Sequence, residues 1–181
     1  EYNPNARCQR FEQFVSEVFQ SDAELISYAQ RVLGYSLTGS VQEHAVFFAY
    51  GNGSNGKSTL FEAFGNHVLG GDYCARLPAE SLMIRQTGGI PNDLARLQGI
   101  RMVIASEIEE GSRWAESKLK DWTGGDTIAA RFLHQEFFDF RPQFKLCIFG
   151  NSKPIVRGTD AGIWRRMRLI PFEASFEGRE D

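Results

Sequence analysis

Residues 51 to 58 read Gly-Asn-Gly-Ser-Asn-Gly-Lys-Ser and satisfy the spacing G-x-x-x-x-G-K-[S/T] in full. At ordinary residue usage, a chance match occurs in roughly one chain in a hundred of this length. Holding a phosphate through the backbone requires N–H groups that converge on its oxygens. Glycines, with an Asn-Gly pair free to take positive φ, allow that convergence. A helix begun at Lys57 would aim its positive dipole end at the same oxygens. In such a loop Lys57 is expected to reach the β- and γ-phosphates and the Ser58 hydroxyl to ligate Mg²⁺. The expected nucleotide-binding set is Gly51, Asn52, Gly53, Ser54, Asn55, Gly56, Lys57, Ser58 and Thr59. The plain alternative is a flexible turn before a helix, and the apolar strand in front of the loop argues against it. The loop implies ATP and Mg²⁺, but it does not separate a motor from a kinase or a switch.

Two further positions could complete a hydrolytic centre. Val103-Ile104-Ala105-Ser106-Glu107 is an apolar strand closed by an acid. An acid at such a strand end holds Mg²⁺ or its water in loop-and-strand NTPases, which makes Glu107 the candidate. Glu109 is open between orienting the attacking water and plain surface charge. A second apolar run delivers Asn151 to its carboxyl end, where ligands of open α/β sheets bind. Its amide can donate to a γ-phosphate oxygen and accept from the attacking water. Alone, an Asn after Gly is a turn residue; the order loop, acid, amide gives it weight.

The elements that must position these residues follow from periodicity. Phe11, Phe14, Val15, Val18 and Phe19 recur at helical spacing. Ser21 and Glu24 read as a capping box for a second helix with the stripe Leu25, Ile26, Ala29, Val32 and Leu33, ended by Gly34. Residues 1–40 are therefore expected as a small helical cap or collar, and 41–181 as the ATPase core. Ala45 to Tyr50, Ile100 to Ala105, Phe144 to Phe149 and Met167 to Phe172 read as buried strands. Ser58 to Val68 reads as helix until Gly70-Gly71, Pro91 to Arg96 as a short helix, and Trp114 to Trp122 as another. Thr127 to Phe140 has hairpin character, with Phe137 to Phe140 expected in the core. Strands alternating with helices predict a three-layer α/β core with a mainly parallel sheet.

Composition bounds the function. At 181 residues, 42% apolar and 24% charged, the chain suits one globular domain. The sequence holds no apolar run of membrane-spanning length and no signal pattern. Three scattered cysteines form neither a disulfide framework nor a zinc pattern, which points to a reducing cytosol. A net charge of −3 disfavours coating DNA with a broad face. A narrow contact through a few locally basic loops stays open. The chain opens on Glu1 and stops in a charged tail, so both ends are read as cuts in a longer polypeptide.

Taken in order, Tyr50 to Thr59, Arg101 to Glu107, Leu119 to Arg131, Phe144 to Pro154 and Ile163 to Phe172 carry a family resemblance. The chain resembles superfamily-3 helicases, most closely the helicase domain of phage, plasmid and poxvirus-type primase-helicases. The resemblance covers nearly the whole chain and implies an AAA+-like core assembled as a homo-oligomeric ring, usually a hexamer. ATP would sit between subunits and single-stranded DNA would thread the channel. Strands bearing the phosphate loop and the acid would flank the strand bearing Asn151. A primase domain upstream and the cytoplasm of a bacterial host or virus-infected cell follow from the same resemblance. Many members carry two adjacent acids at the strand end, whereas Ser106-Glu107 offers one.

The resemblance also assigns roles that residues alone leave open. Arg166, ahead of Arg165, falls where a guanidinium is supplied to the neighbouring subunit's transition state; either could instead cover the sheet edge. Gly124 to Arg141 falls where the channel hairpin lies, with Arg131, Phe132 and His134 near its tip. Cation and aromatic together grip a single strand without reading sequence. The expected function is an ATP-dependent hexameric DNA helicase or translocase in phage, plasmid or mobile-element replication. A P-loop small-molecule kinase and a nucleotide-gated assembly module are the rivals.

Overall fold

The computed structural model describes residues 3, 5–83, 92–106, 114–151 and 161–178, without the side chains of residues 92, 93, 106 and 161. Its strands are β1 (Val46–Tyr50), β2 (Cys74–Pro78), β3 (Met102–Ser106), β4 (Ile128–Ala130), β5 (Phe138–Phe140), β6 (Lys145–Gly150) and β7 (Met167–Pro171). Its α-helices are α1 (Gln9–Val18), α2 (Ala23–Ser36), α3 (Lys57–Ala63), α4 (Asn92–Ala95), α5 (Glu116–Thr123) and α6 (Ala161–Trp164). Five strands form one parallel sheet in the order β2-β3-β6-β1-β7, and β4 pairs antiparallel with β5. β6 thus stands between β1 and β3, the arrangement that the resemblance implies.

Alternation along the strands divides the core into two faces. Val46, Phe48, Val103, Leu146 and Ile148 face one way, packing with Trp114, Leu119 and Trp122 around α5 and with Ile128 and Phe140 of the hairpin. Phe47, Ala49, Ile104, Cys147 and Phe149 face the other way, against Val15 and Val18 of α1, Val32 and Leu33 of α2, and Leu60 and Phe61 of α3. The first two helices therefore share a core with the sheet. Being covered on both faces is why β1 reads as an unbroken apolar run and β6 as one from Leu146 to Phe149. Among the described residues no helix is long and apolar enough to cross a membrane.

Several local features differ from the sequence expectation. The second helix is capped by Asp22, not Ser21: the Asp22 carboxylate accepts from the N–H groups of Glu24 and Leu25, both at 3.0 Å. Gly34 does not end that helix, which runs on to Ser36. Gly34 O and Tyr35 O take the N–H groups of Leu37 and Thr38. The carbonyls just beyond the helix receive distant cations, Arg101 donating to Leu37 O at 2.6 Å and Lys145 Nζ to Thr38 O. β2 has no counterpart in the sequence reading. It is a mixed strand on the sheet edge with Arg76 and Leu77 in its middle and Pro78 at its end, where an edge tolerates proline. The expected helix after the loop changes at Phe64 into a π-helical turn, Phe64–Leu69, before Gly70 takes φ +68.

Candidate functional site

The loop leaves the carboxyl end of β1 and turns back over the segment that follows β7. Gly51, at φ +148, lies so close to that segment that a Cβ there would stand 2.0 Å from Phe172 O. Gly56, at φ +83, lies against α1, where a Cβ would stand 2.7 Å from Val18 Cγ2. Both positions need glycine, for backbone angle and for space. Phe176 N–H donates to Ser54 O at 2.7 Å, a second tie to the same segment.

Asn55 and Lys57 are the buried members of the loop, 3% and 7% exposed. Lys57 Nζ donates to Gly51 O at 2.5 Å, Asn55 Oδ1 at 3.0 Å and Asn52 O at 3.4 Å. The Asn55 amide in turn donates to Phe172 O at 3.0 Å and to Asn52 O. Burial pushes the Lys57 ammonium below its ordinary pKa, because the charged form loses hydration there. Asn52, Gly53, Ser54, Ser58 and Thr59 are exposed around this buried centre, with Gly51 and Gly56 half-buried. The arrangement offers a fixed cation beneath an open, glycine-rich rim, which is chemistry suited to an anion.

Strand register brings other candidates to the same sheet end. Tyr50 is paired with Gly150, so Gly51 and the exposed Asn151 are the next residues on neighbouring strands. β3 runs parallel beside β6 and ends at Ser106. Glu107 and Glu109 lie outside the described residues. Ser58 and Glu107, the candidate Mg²⁺ ligands, offer oxygen donors of the kind that ion takes.

The arginine pair is elsewhere. Arg166 sits just before β7, where its carbonyl accepts from Val46 N–H at 2.9 Å, at the opposite sheet end from the loop. Arg165 is exposed and Arg166 half-buried. One Arg166 Nη donates to Gly162 O at 2.8 Å, while its Nε is buried with no partner among the described residues.

Arg131, Phe132 and His134 all lie exposed on the loop joining β4 to β5, with His134 at φ +62. The expectation that Phe137 to Phe140 are core holds for Phe140 alone in full. Phe138 is half-buried, Asp139 is exposed, and Phe137 is 53% exposed. The exposed Phe137 ring carries the Arg131 guanidinium 4.8 Å from its centroid, while Phe132 stacks on Phe138 at 5.9 Å. Leu133, 64% exposed, joins the same tip. The sequence reading missed Leu133 and Phe137 as tip residues; their place between two short strands was the signal.

Comparison with known proteins gives the following. A family model described as a family of unknown function, DUF5906, matches residues 49–166. "Putative helicase L207/L206" of Acanthamoeba polyphaga mimivirus is 32% identical over 161 residues, covering 87% of this chain and 16% of the relative. "Putative helicase 121R" of Invertebrate iridescent virus 3 is 31% identical over 172 residues, covering 92% and 18%. The chain thus spans under a fifth of these relatives. The apo A-form structure of the NrS-1 C-terminal region superposes with TM-score 0.73 at 13% identity, over 97% of this chain and 40% of that one, a likeness of fold.

Proposed function

The chain belongs to DUF5906, a family of unknown function, and from that footing we propose that it is the ATP-hydrolysing segment of a superfamily-3-type DNA helicase. The observation that carries the reading is the central place of β6. With β1 and β3 on either side, the loop, Asn151 and the strand leading to Glu107 all emerge at one sheet end. That is where ligands bind in open α/β sheets. The helicase names of the viral relatives point the same way.

In this reading the glycine-rich rim takes the phosphates and Lys57 neutralises the β- and γ-oxygens. Ser58 and Glu107 hold Mg²⁺, which supplies further neutralisation of phosphate charge when bound. Asn151 orients the attacking water, and Arg166, with Arg165 beside it, serves the neighbouring subunit of a homo-oligomeric ring, a hexamer. Arg131, Phe132 and His134 meet single-stranded DNA in the channel through backbone charge and base stacking. A primase domain upstream in the full polypeptide completes the proposal.

ATP hydrolysis measured with and without single-stranded DNA tests it. Turnover is expected to rise with the strand and to vanish in Lys57→Ala. Turnover that needs a small-molecule acceptor and ignores DNA would mean a kinase instead. ATP binding with oligomers and negligible turnover would mean an assembly module.

A further inference from the structure

We infer that Asn55 is a positioning residue: its carboxamide aims the Lys57 ammonium and ties it to the Phe172 carbonyl just beyond β7. The inference rests on the proposed reading of Lys57 as the phosphate-binding cation. An asparagine in a flexible turn would be exposed and bonded to its own neighbours. Asn55 is 3% exposed, and its amide nitrogen reaches a carbonyl 117 positions away at 3.0 Å. The partners fix its orientation. Oδ1 faces the Lys57 ammonium at 3.0 Å and the Lys57 N–H at 3.4 Å, while Nδ2 faces two carbonyl oxygens. Turning the amide over would set NH₂ against ammonium and oxygen against both carbonyls.

The consequence concerns which contacts survive when an anion arrives. An ammonium has three N–H donors, and Lys57 spends them on Gly51 O, Asn55 Oδ1 and Asn52 O. A phosphate oxygen must replace one of them. The Asn52 contact, at 3.4 Å, is the longest and the cheapest to give up. Gly51 O and Asn55 Oδ1 then remain, and two acceptors fix the direction of the third donor. Removing Asn55 leaves one.

The test is acetylation of Lys57 by an amine-reactive reagent, quantified by peptide mass spectrometry with and without MgATP. Equilibrium binding of a fluorescent ADP analogue runs beside it. In Asn55→Ala, Lys57 is expected to acetylate about tenfold faster than in wild type and the analogue to bind about tenfold more weakly, the scale of one hydrogen bond to a charged group. Asn55→Leu keeps a similar volume but offers neither the acceptor to Lys57 nor the donor to Phe172 O, so it should behave as Asn55→Ala does. A folded Asn55→Ala with wild-type labelling and affinity overturns the inference. So does faster labelling shared by Lys118 and Lys145, which marks general loosening. If Asn55→Ala does not fold, Asn55→Leu decides alone: faster labelling confined to Lys57 supports the inference, and unchanged labelling overturns it. Failure of MgATP to protect wild-type Lys57 would sink the phosphate reading instead, while the nucleotide-free rates still judge the tie to Asn55.

Discussion

At the scale of single residues, Arg166 is half provided for. One guanidinium nitrogen has Gly162 O, but the buried Nε has no partner among the described residues. A buried donor left unpaired costs about 1–3 kcal/mol, and such a group in a folded protein calls for an explanation. Under the proposed reading a neighbouring subunit's nucleotide would meet the Nη end of this half-buried side chain, since Nε is shielded. In that reading Arg166→Ala is expected to lower ATP turnover about 10³-fold or more with little change in melting temperature, because loss of the Gly162 O bond offsets removal of the unpaired donor. Arg165, the exposed second member of the proposed pair, is expected to cost less turnover than Arg166 when replaced by alanine. Parallel turnover assays and thermal melts of the two variants check this, and equal losses in both would remove the distinction. Spacing singled out Lys57 and the order loop, acid, amide singled out Asn151, and strand register sets Gly51 and Asn151 as the next residues on neighbouring strands. Spacing was blind to the Asn55–Phe172 tie, since nothing local signals a partner 117 positions on. It also placed Phe137 in the core on hydrophobicity, when the ring carries Arg131 at the surface.

At the scale of elements, the turn that follows α2 is held by Lys145. This side chain is 1% exposed at the start of β6. Its ammonium donates to Thr38 O, to Gln143 O at 3.0 Å and to Ser40 O at 3.3 Å, and lies 4.9 Å from the Tyr35 ring centroid. Burial, aided by the Arg101 charge, brings its pKa down from 10.5 to about 8. A depressed base is protonated less readily in the folded chain than in the unfolded one. Between about pH 8 and 10.5 the unfolded state therefore binds more protons, and stability from this group rises with pH. Cys147 acts oppositely: burial raises its thiol above the ordinary 9.0, so above about pH 9 the unfolded state alone ionises. The clean window is pH 8 to 9, where denaturant midpoints should rise by the equivalent of no more than about 1 kcal/mol. Lys145→Met should flatten that rise, and an unchanged slope in the variant would exclude Lys145 as its source. The same contacts explain what the sequence hid. The central strands were readable because both faces are buried, and the hairpin because its strands are short and bounded by turn residues. The end of α2 was not readable, because Arg101 and Lys145 from other elements, rather than a glycine, hold the turn just beyond it at Leu37 O and Thr38 O. β2 was not, because an edge strand carrying Arg76 and ending in Pro78 has no apolar run to show.

At the scale of the whole molecule, the candidate groups occupy opposite ends of one sheet. Six residues of extended chain separate Arg166 from Phe172, which lies against the loop, and at about 3.3 Å each they span roughly 20 Å. No arginine side chain bridges that distance, so Lys57 and Arg166 of the same chain cannot serve one nucleotide. A head-to-tail ring solves the problem by setting the Arg166 end of one subunit against the loop of the next, since such heterologous contacts close when the rotation permits. The proposal then makes a demand that a monomeric enzyme would not. Lys57→Ala subunits lack the cation but keep the arginine, and Arg166→Ala subunits have the reverse. Each alone should be inactive. In an equal mixture, random assembly leaves one interface in four with both groups intact, so turnover should recover to about a quarter of wild type. Mass photometry on the same samples establishes whether rings are present. Rings without recovery would mean that the two residues do not act across an interface, and the arginine would then belong to the sheet edge alone.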